Sequence, residues 1–186
     1  MTLLHTPVCD TGISAPNFKL EGIDSNHWTL EDCVGKNGLL VMFICNHCPY
    51  VKAIQQRLVE DAKVLQENGI GVVAIMSNDP NDYPEDSFEN MQFVAKEKRF
   101  NFPYLIDSTQ EVAKAYGAIC TPDFFGYNSQ MALQYRGRLD ESGMQPSSPD
   151  AKRELVVAML EVAKTGKGPE EQVASMGCSI KWVAER

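Results

Sequence analysis

No stretch of this 186-residue chain approaches the ~20 consecutive apolar residues of a membrane-spanning helix. An excess of positive charge is missing too. Seventeen Lys and Arg face 25 Asp and Glu, for a formal net charge of −8. A nucleic-acid partner and an anionic membrane surface are therefore not expected. The six cysteines are too few, in a chain this long, for a disulfide-stapled secreted module. The opening residues Met1 to Pro7 carry no basic run, and no apolar segment of the signal-peptide kind follows. The expected location is the cytoplasm. There is no internal repeat, no second Cys-x-x-Cys and no paired-histidine element of a zinc site. The length suits one domain, residues 1–186, with a core over about 15–165 and a C-terminal tail at 166–186.

What is present centres on residues 39–65. The apolar run Leu39-Leu40-Val41-Met42-Phe43-Ile44 reads as a strand buried on both faces. It stops at Cys45-Asn46-His47-Cys48-Pro49. Val51, Ile54, Leu58, Ala62 and Leu65 then recur at steps of three and four, on one face of a helix that Asn68-Gly69 ends. Two thiols thus sit where a strand becomes a helix. Unpaired N–H groups and the positive end of the helix dipole favour thiolate there. Six cysteines in 186 residues yield a Cys-x-x-Cys pair by chance in roughly one sequence in six, so the placement carries more weight than the motif.

Further along, Ile70 to Met76 predicts a second buried strand, parallel to the first across a right-handed βαβ unit. Phe18, Leu20 and Ile23 predict a short strand, and Leu30 to Val34 one helical turn. Residues 77–85 read as a solvated polar loop in which Asp79, Asp82 and Glu85 match no metal-loop spacing. A helix is expected over 87–99, a short strand over 104–107 and a short helix over 109–116. Residues 123–127 and 132–135 form a hairpin, with Phe124 and Phe125 on opposite faces. Arg136 and Arg138 read as a solvated strand end. Ser148-Pro149 predicts the start of a last long helix, with Ser148 as N-cap.

This order, with Cys45-Asn46-His47-Cys48 at the strand–helix junction and Thr121-Pro122 opening the hairpin, resembles the thioredoxin fold. The resemblance implies an α/β class, a three-layer α/β/α sandwich with a mixed central sheet, and a cis-proline loop at Pro122 facing the dithiol. The 74 residues from Cys48 to Pro122 exceed a minimal thioredoxin. The extra length, roughly residues 79–103, resembles the insertion of peroxiredoxins, and Ala15-Pro16-Asn17-Phe18-Lys19-Leu20 resembles their opening signature. Together with "CNHCPYV", "CTPDFF", "YRGRLD" and "GCSIKW", it is similar to the peroxiredoxin-like AhpC/TSA branch of thioredoxin family proteins. The match spans about Ala15 to Val183. Several features depart from those families. Ile44 stands where thioredoxins carry Trp, and no acidic residue lies in the central strand. Cys45 occupies the place of the peroxiredoxin Thr, and Cys120 aligns with their site Arg.

The resemblance implies a thiol–disulfide oxidoreductase, with Cys45 as exposed attacker and Cys48 as buried resolver on the thioredoxin pattern. On the peroxiredoxin pattern the emphasis reverses, because Cys48-Pro49 matches their Cys-Pro. Exchange needs a thiolate and a second thiol to resolve the mixed disulfide, which a Cys-x-x-Cys supplies. Asn46 and His47 lie between the two, and His47 is expected to make the pair more oxidising than thioredoxin's. Cys120 is a third redox thiol or a small buried residue. Cys178 lies in a tail able to fold back over the site, while Cys9 and Cys33 read as incidental. No cofactor beyond the cysteines is expected. The expected partners are a disulfide-bearing protein, a small thiol or disulfide, or a peroxide, with a separate reductase or thiol for recycling. Three readings compete with dithiol exchange. One is a thiol peroxidase in which Cys48 forms a sulfenic acid that Cys45 resolves. Another is a structural metal site on Cys45, Cys48, Cys120 and His47. The last is a redox sensor that docks a partner.

Overall fold

Six apolar residues in a row need partners on both faces, and the strand they form has them. The computed structural model describes residues 2–7 and 9–183. In chain order its elements are β1 (Leu3–His5), β2 (Lys19–Gly22), β3 (His27–Thr29), α1 (Leu30–Cys33), β4 (Gly38–Phe43), α2 (Pro49–Glu67) and β5 (Ile70–Met76). A 3₁₀ turn over Pro84–Asp86 follows. Then come α3 (Phe88–Lys98), β6 (Tyr104–Ile106), α4 (Glu111–Tyr116), β7 (Cys120–Thr121), β8 (Asp123–Tyr127), β9 (Leu133–Tyr135), α5 (Glu154–Thr165) and β10 (Met176–Ser179).

The central sheet runs β3-β2-β6-β5-β4-β8-β9. β4, β5 and β6 are parallel, and the hairpins β2–β3 and β8–β9 close the two edges antiparallel. Alternation along β4 divides the core. Leu40 and Met42 pack with Phe124 against α2, α3 and α5. Leu39, Val41 and Phe43 pack with Phe125 against α1 and α4 on the other face. The architecture is a three-layer α/β/α sandwich with a mixed sheet, as expected for a thioredoxin-like fold. The Thr121–Pro122 peptide bond is cis. No helix among the described residues is long and apolar enough to cross a membrane.

The layers touch closely at one glycine. A Cβ on Gly71 of β5 would lie 1.9 Å from the Cys33 carbonyl oxygen and 2.7 Å from the Gly35 amide nitrogen. Both are backbone atoms and cannot rotate away. Gly71→Ala is expected to destabilise the fold by about 2 kcal/mol. Urea unfolding should show this as a lower midpoint at unchanged slope.

The structure corrects three expectations. The last helix begins at Glu154, not at Ser148. The Arg57 guanidinium donates to the Ser148 carbonyl at 2.7 Å, and Arg153 pairs with Asp61 of α2. Those ties hold residues 148–153 across α2 and delay the helix. Arg136 is not solvated, because it forms a buried pair with Asp123 at 3.0 Å and lies over the Phe125 ring. Arg138 donates from Nε and one terminal nitrogen, a single guanidinium edge, to the two carboxylate oxygens of Glu154. The loop after β5 is also not solvated throughout, since Asp79 and Asp86 are buried.

The chain ends also pair. β1, from the weakly patterned N-terminal segment, pairs with β10, and β10 pairs with β7. The three strands form a second sheet beside the cis-proline loop.

Candidate active site

β4 delivers the chain to the sheet's C-terminal edge, and the apolar run ends there because α2 begins. Cys48 is the N-cap of α2 and Pro49 its first residue. Proline fits because the first helical N–H has no partner to lose. Cys45, Asn46 and His47 form the short connection, and all four residues from Cys45 to Cys48 are buried. Opposite them stands the cis-proline loop. The Cys45 sulfur lies 3.2 Å from the Thr121 hydroxyl oxygen. The Cys48 sulfur lies 3.1 Å from the Thr121 carbonyl oxygen. Thr121 therefore faces both thiols, with its side chain toward one and its backbone toward the other.

The two cysteines differ in charge preference. The Cys45 thiol donates to Cys48, which is the largest influence lowering Cys48. Burial opposes it, while the Cys178 thiol and the Val51 N–H add further donors, leaving Cys48 at about 5. The Thr121 carbonyl accepts from the protonated form only and is outweighed. Cys45 is driven the other way, well above an ordinary thiol, first by burial and then by donation to Cys48 and the Asp86 charge. Cys45 is thus not the exposed thiol that the thioredoxin pattern implies. It is 1% accessible and Cys48 is fully buried, and the donors around Cys48 favour its thiolate.

Asp86 organises the connection from below. Its Oδ1 accepts the backbone N–H groups of Asn46, at 2.7 Å, and His47, at 3.1 Å. Its Oδ2 accepts from the His47 Nδ1, at 2.6 Å, and from the Asn78 amide, at 2.8 Å. Burial alone would raise this carboxyl, but the donors from His47, Asn78 and Asn46 prevail and hold it below the usual range. The contact to Asp86 makes Nδ1 the protonated ring nitrogen of His47. The Cys45 sulfur lies 3.7 Å from that nitrogen, and the ring stacks on Tyr83 with centroids 4.5 Å apart. Asn46 is held by the Glu85 carbonyl and by Tyr104.

Sequence reasoning missed Asp86. It weighed Asp79, Asp82 and Glu85 in the same loop and stopped one residue short. Cys120 is fully buried, its sulfur is 3.7 Å from the Pro122 carbonyl oxygen, and burial raises its thiol far above the ordinary value. Cys178, in β10, lies against Cys48 with 3.1 Å between sulfurs. Cys9 and Cys33 lie apart, in or against the opposite core layer.

The ligand atoms of Cys45, His47 and Asp86 lie within 4.8 Å of one another. That trio differs from the expected set of Cys45, Cys48, Cys120 and His47. Its His47 Nδ1 already bonds to Asp86 Oδ2 at 2.6 Å, while the buried Nε2 has no hydrogen-bond partner among the described residues. A cleft of about 210 Å³ is lined by Pro122, Tyr50, Ile54, Phe124, Leu139 and Met176 among others.

A dithiol at a strand–helix junction, faced by a cis-proline loop on a thioredoxin-like fold, defines a class of thiol redox site. Within that class the chain belongs to the AhpC/TSA family, which matches residues 11–142. It is similar to an uncharacterized conserved protein from Geobacillus kaustophilus, with 44% identity, a TM-score of 0.92, and coverage of 100% of this chain and 99% of that one. A hypothetical protein from Sinorhizobium meliloti 1021 is similar at 38% identity and a TM-score of 0.90, covering 97% and 99% of the two chains. The peroxidoxin BcpB from Mycobacterium tuberculosis shares the fold at 16% identity and a TM-score of 0.61, with 83% and 96% covered. No curated protein matches the chain. Family and fold together support a thiol redox function.

Proposed function

We propose that the protein is a thiol–disulfide oxidoreductase that works through Cys45 and Cys48. The observation that carries this reading is geometric: two thiols at the N-terminus of α2 both face Thr121 of the cis-proline loop, at 3.2 and 3.1 Å. Cys48 attacks a substrate disulfide and releases one thiolate. Cys45 then attacks the Cys48 sulfur of the mixed disulfide and releases the second. The enzyme is left as a Cys45–Cys48 disulfide, and an external thiol or reductase restores it. No group beyond the cysteines is required. Thr121 and the cis-Pro122 position the incoming sulfur, and the apolar cleft that Pro122 lines receives a neighbouring side chain of a protein or small-molecule substrate. Both sulfurs lie beneath the surface, so the segment over them yields during each exchange. The acidic surface and the need for a recycling thiol fit a cytoplasmic setting.

The test is a redox titration against graded glutathione mixtures, with acid trapping and disulfide mapping by mass spectrometry. The proposal expects one reversible Cys45–Cys48 pair with a single midpoint, and absence of that pair at every poise removes it. His47→Ala should make the pair more reducing, by about 30 mV, a tenfold change in its equilibrium constant. Without the imidazole, the Asp86 charge bears more directly on Cys45 and disfavours its thiolate. An unchanged midpoint would show that His47 only fills space.

Peroxide is a second candidate oxidant, favoured by the low Cys48 value and the following Pro49. In that case Cys48 would become a sulfenic acid and Cys45 would resolve it with loss of water. Rapid consumption of hydrogen peroxide by reduced protein, faster than its reaction with a small disulfide, would put this reading first.

A further inference from the structure

The tail strand brings a third thiol into contact with the site. β10 pairs antiparallel with β7, and Cys178 stands directly opposite Thr121 in the register. The Cys48 and Cys178 sulfurs are 3.1 Å apart, about 1 Å more than a disulfide bond. This contact is built into the fold at several points. Gly177 lets the strand approach, since a Cβ there would meet the Thr121 carbonyl oxygen at 2.0 Å. β1 pairs with β10 along its other edge, Leu3 opposite Cys178. Beyond β10, the Lys181 N–H donates to the Asn78 side chain at 2.8 Å, and the Lys181 carbonyl accepts from the Asp79 N–H at 2.9 Å. Gln110 holds Lys181 and Val183 as well. Asn78 also donates to Asp86, so the residue that supports the Cys45–Cys48 connection fastens the tail too.

We propose that Cys178 is a third redox-active cysteine that exchanges with Cys45 for Cys48, resting on the dithiol reading above. Starting from the Cys45–Cys48 disulfide, the Cys178 thiolate attacks the Cys48 sulfur. The Cys48–Cys178 bond forms and the Cys45–Cys48 bond breaks. Cys45 leaves as the thiolate and takes up the proton that Cys178 gave. The step is an isomerisation, so it consumes no oxidant or reductant. Burial raises both thiols, so each holds the proton whenever it is outside the disulfide. The product fixes β10 to the N-terminus of α2 and stores the disulfide between the tail and the helix. The Cys120 sulfur is instead turned toward the Pro122 carbonyl, at 3.7 Å.

The test compares wild type, Cys45→Ser and Cys178→Ser, each full-length, equilibrated with oxidised and reduced glutathione, acid-trapped, alkylated and mapped by mass spectrometry. Wild type should give both Cys45–Cys48 and Cys48–Cys178 peptides. Cys45→Ser should give Cys48–Cys178 in at least ~10-fold excess over the Cys48–glutathione mixed disulfide, because the tail thiol is held in place. Cys178→Ser should give Cys45–Cys48 alone. If wild type forms only Cys45–Cys48, and Cys45→Ser only the glutathione adduct with Cys178 alkylated, the third thiol is overturned while the dithiol function stands. Should Cys45→Ser fail to fold, the wild-type map alone decides. Formation of Cys48–Cys178 without any Cys45–Cys48 would instead fail the dithiol reading and leave the tail pair standing.

Discussion

Cys48→Ser is expected to lower the rate of disulfide reduction by ~10³-fold or more, about 4 kcal/mol of barrier. The size follows from the nucleophile. A thiol at about 5 is almost wholly thiolate at neutral pH, whereas a serine hydroxyl there has no base to activate it. Cys45→Ser should behave differently. Its Cys48 still attacks and still releases the first equivalent of thiolate, since the attacking sulfur remains. Cys48 also loses its strongest donor to a hydroxyl in the same place, so that first step should slow by no more than ~10-fold. Stopped-flow release of a chromogenic thiol from an aromatic disulfide separates the two variants. A normal burst from Cys48→Ser and none from Cys45→Ser would reverse the assignment of attacker and resolver. The direction of the pH dependence follows from the same residue. The burst rate should be flat above neutrality and fall on acidification through about 5, as the thiolate takes up its proton.

The Cys-x-x-Cys spacing leaves that assignment open, and the reason lies in what a sequence can express. Local features were legible. β5 runs over Ile70–Met76, the hairpin holds Asp123–Tyr127, and Phe124 and Phe125 divide between the two core layers, all as the apolar pattern dictates. The cis bond at Pro122 was legible only through resemblance to thioredoxins, because a lone Thr-Pro favours trans. The features that set the site's chemistry depend on contacts between distant residues. Asp86 meets His47 across 39 residues, and Cys178 meets Cys48 across 130. β1 and β10 are three and four residues long, too short for alternation to mark them as strands, and they exist through pairing, β1 with β10 and β10 also with β7. Arg136 shows the same limit. Its position at a strand end predicts solvent, and only the fold reveals Asp123 beneath it. Ser148-Pro149 fails for the opposite reason. The local helix-start signal is sound, but tertiary ties to α2 prevail over it.

The largest expected loss of stability is at Asp86. Asp86→Ala should cost about 4 kcal/mol, because several buried donors lose their acceptor at about 1–3 kcal/mol each. Four donors lose their acceptor at once: the N–H groups of Asn46 and His47, the His47 ring nitrogen and the Asn78 amide. All belong to buried residues, so water does not replace the carboxylate without opening the connection. Asp86→Asn should recover only part of the loss. Its single carbonyl oxygen can serve one pair of donors, while its own amide group confronts the other pair. The carboxylate also predicts a pH dependence. Its folded value lies below that of an unfolded aspartate, so it stabilises the fold fully above about 4 and progressively less as pH falls through the folded value. Wild type should therefore lose more stability than Asp86→Asn between pH 5 and pH 2, measured by urea unfolding across that window. Parallel curves for the two proteins would mean that the charge adds nothing and the hydrogen-bond geometry alone holds the connection. Because Asn78 joins Asp86 to the Lys181 segment, Asp86→Ala should also loosen the tail. Amide exchange in β10 should then rise together with exchange at Asn46 and His47. A tail that stayed protected while the connection opened would show that β1 and β7 hold it without help from the site.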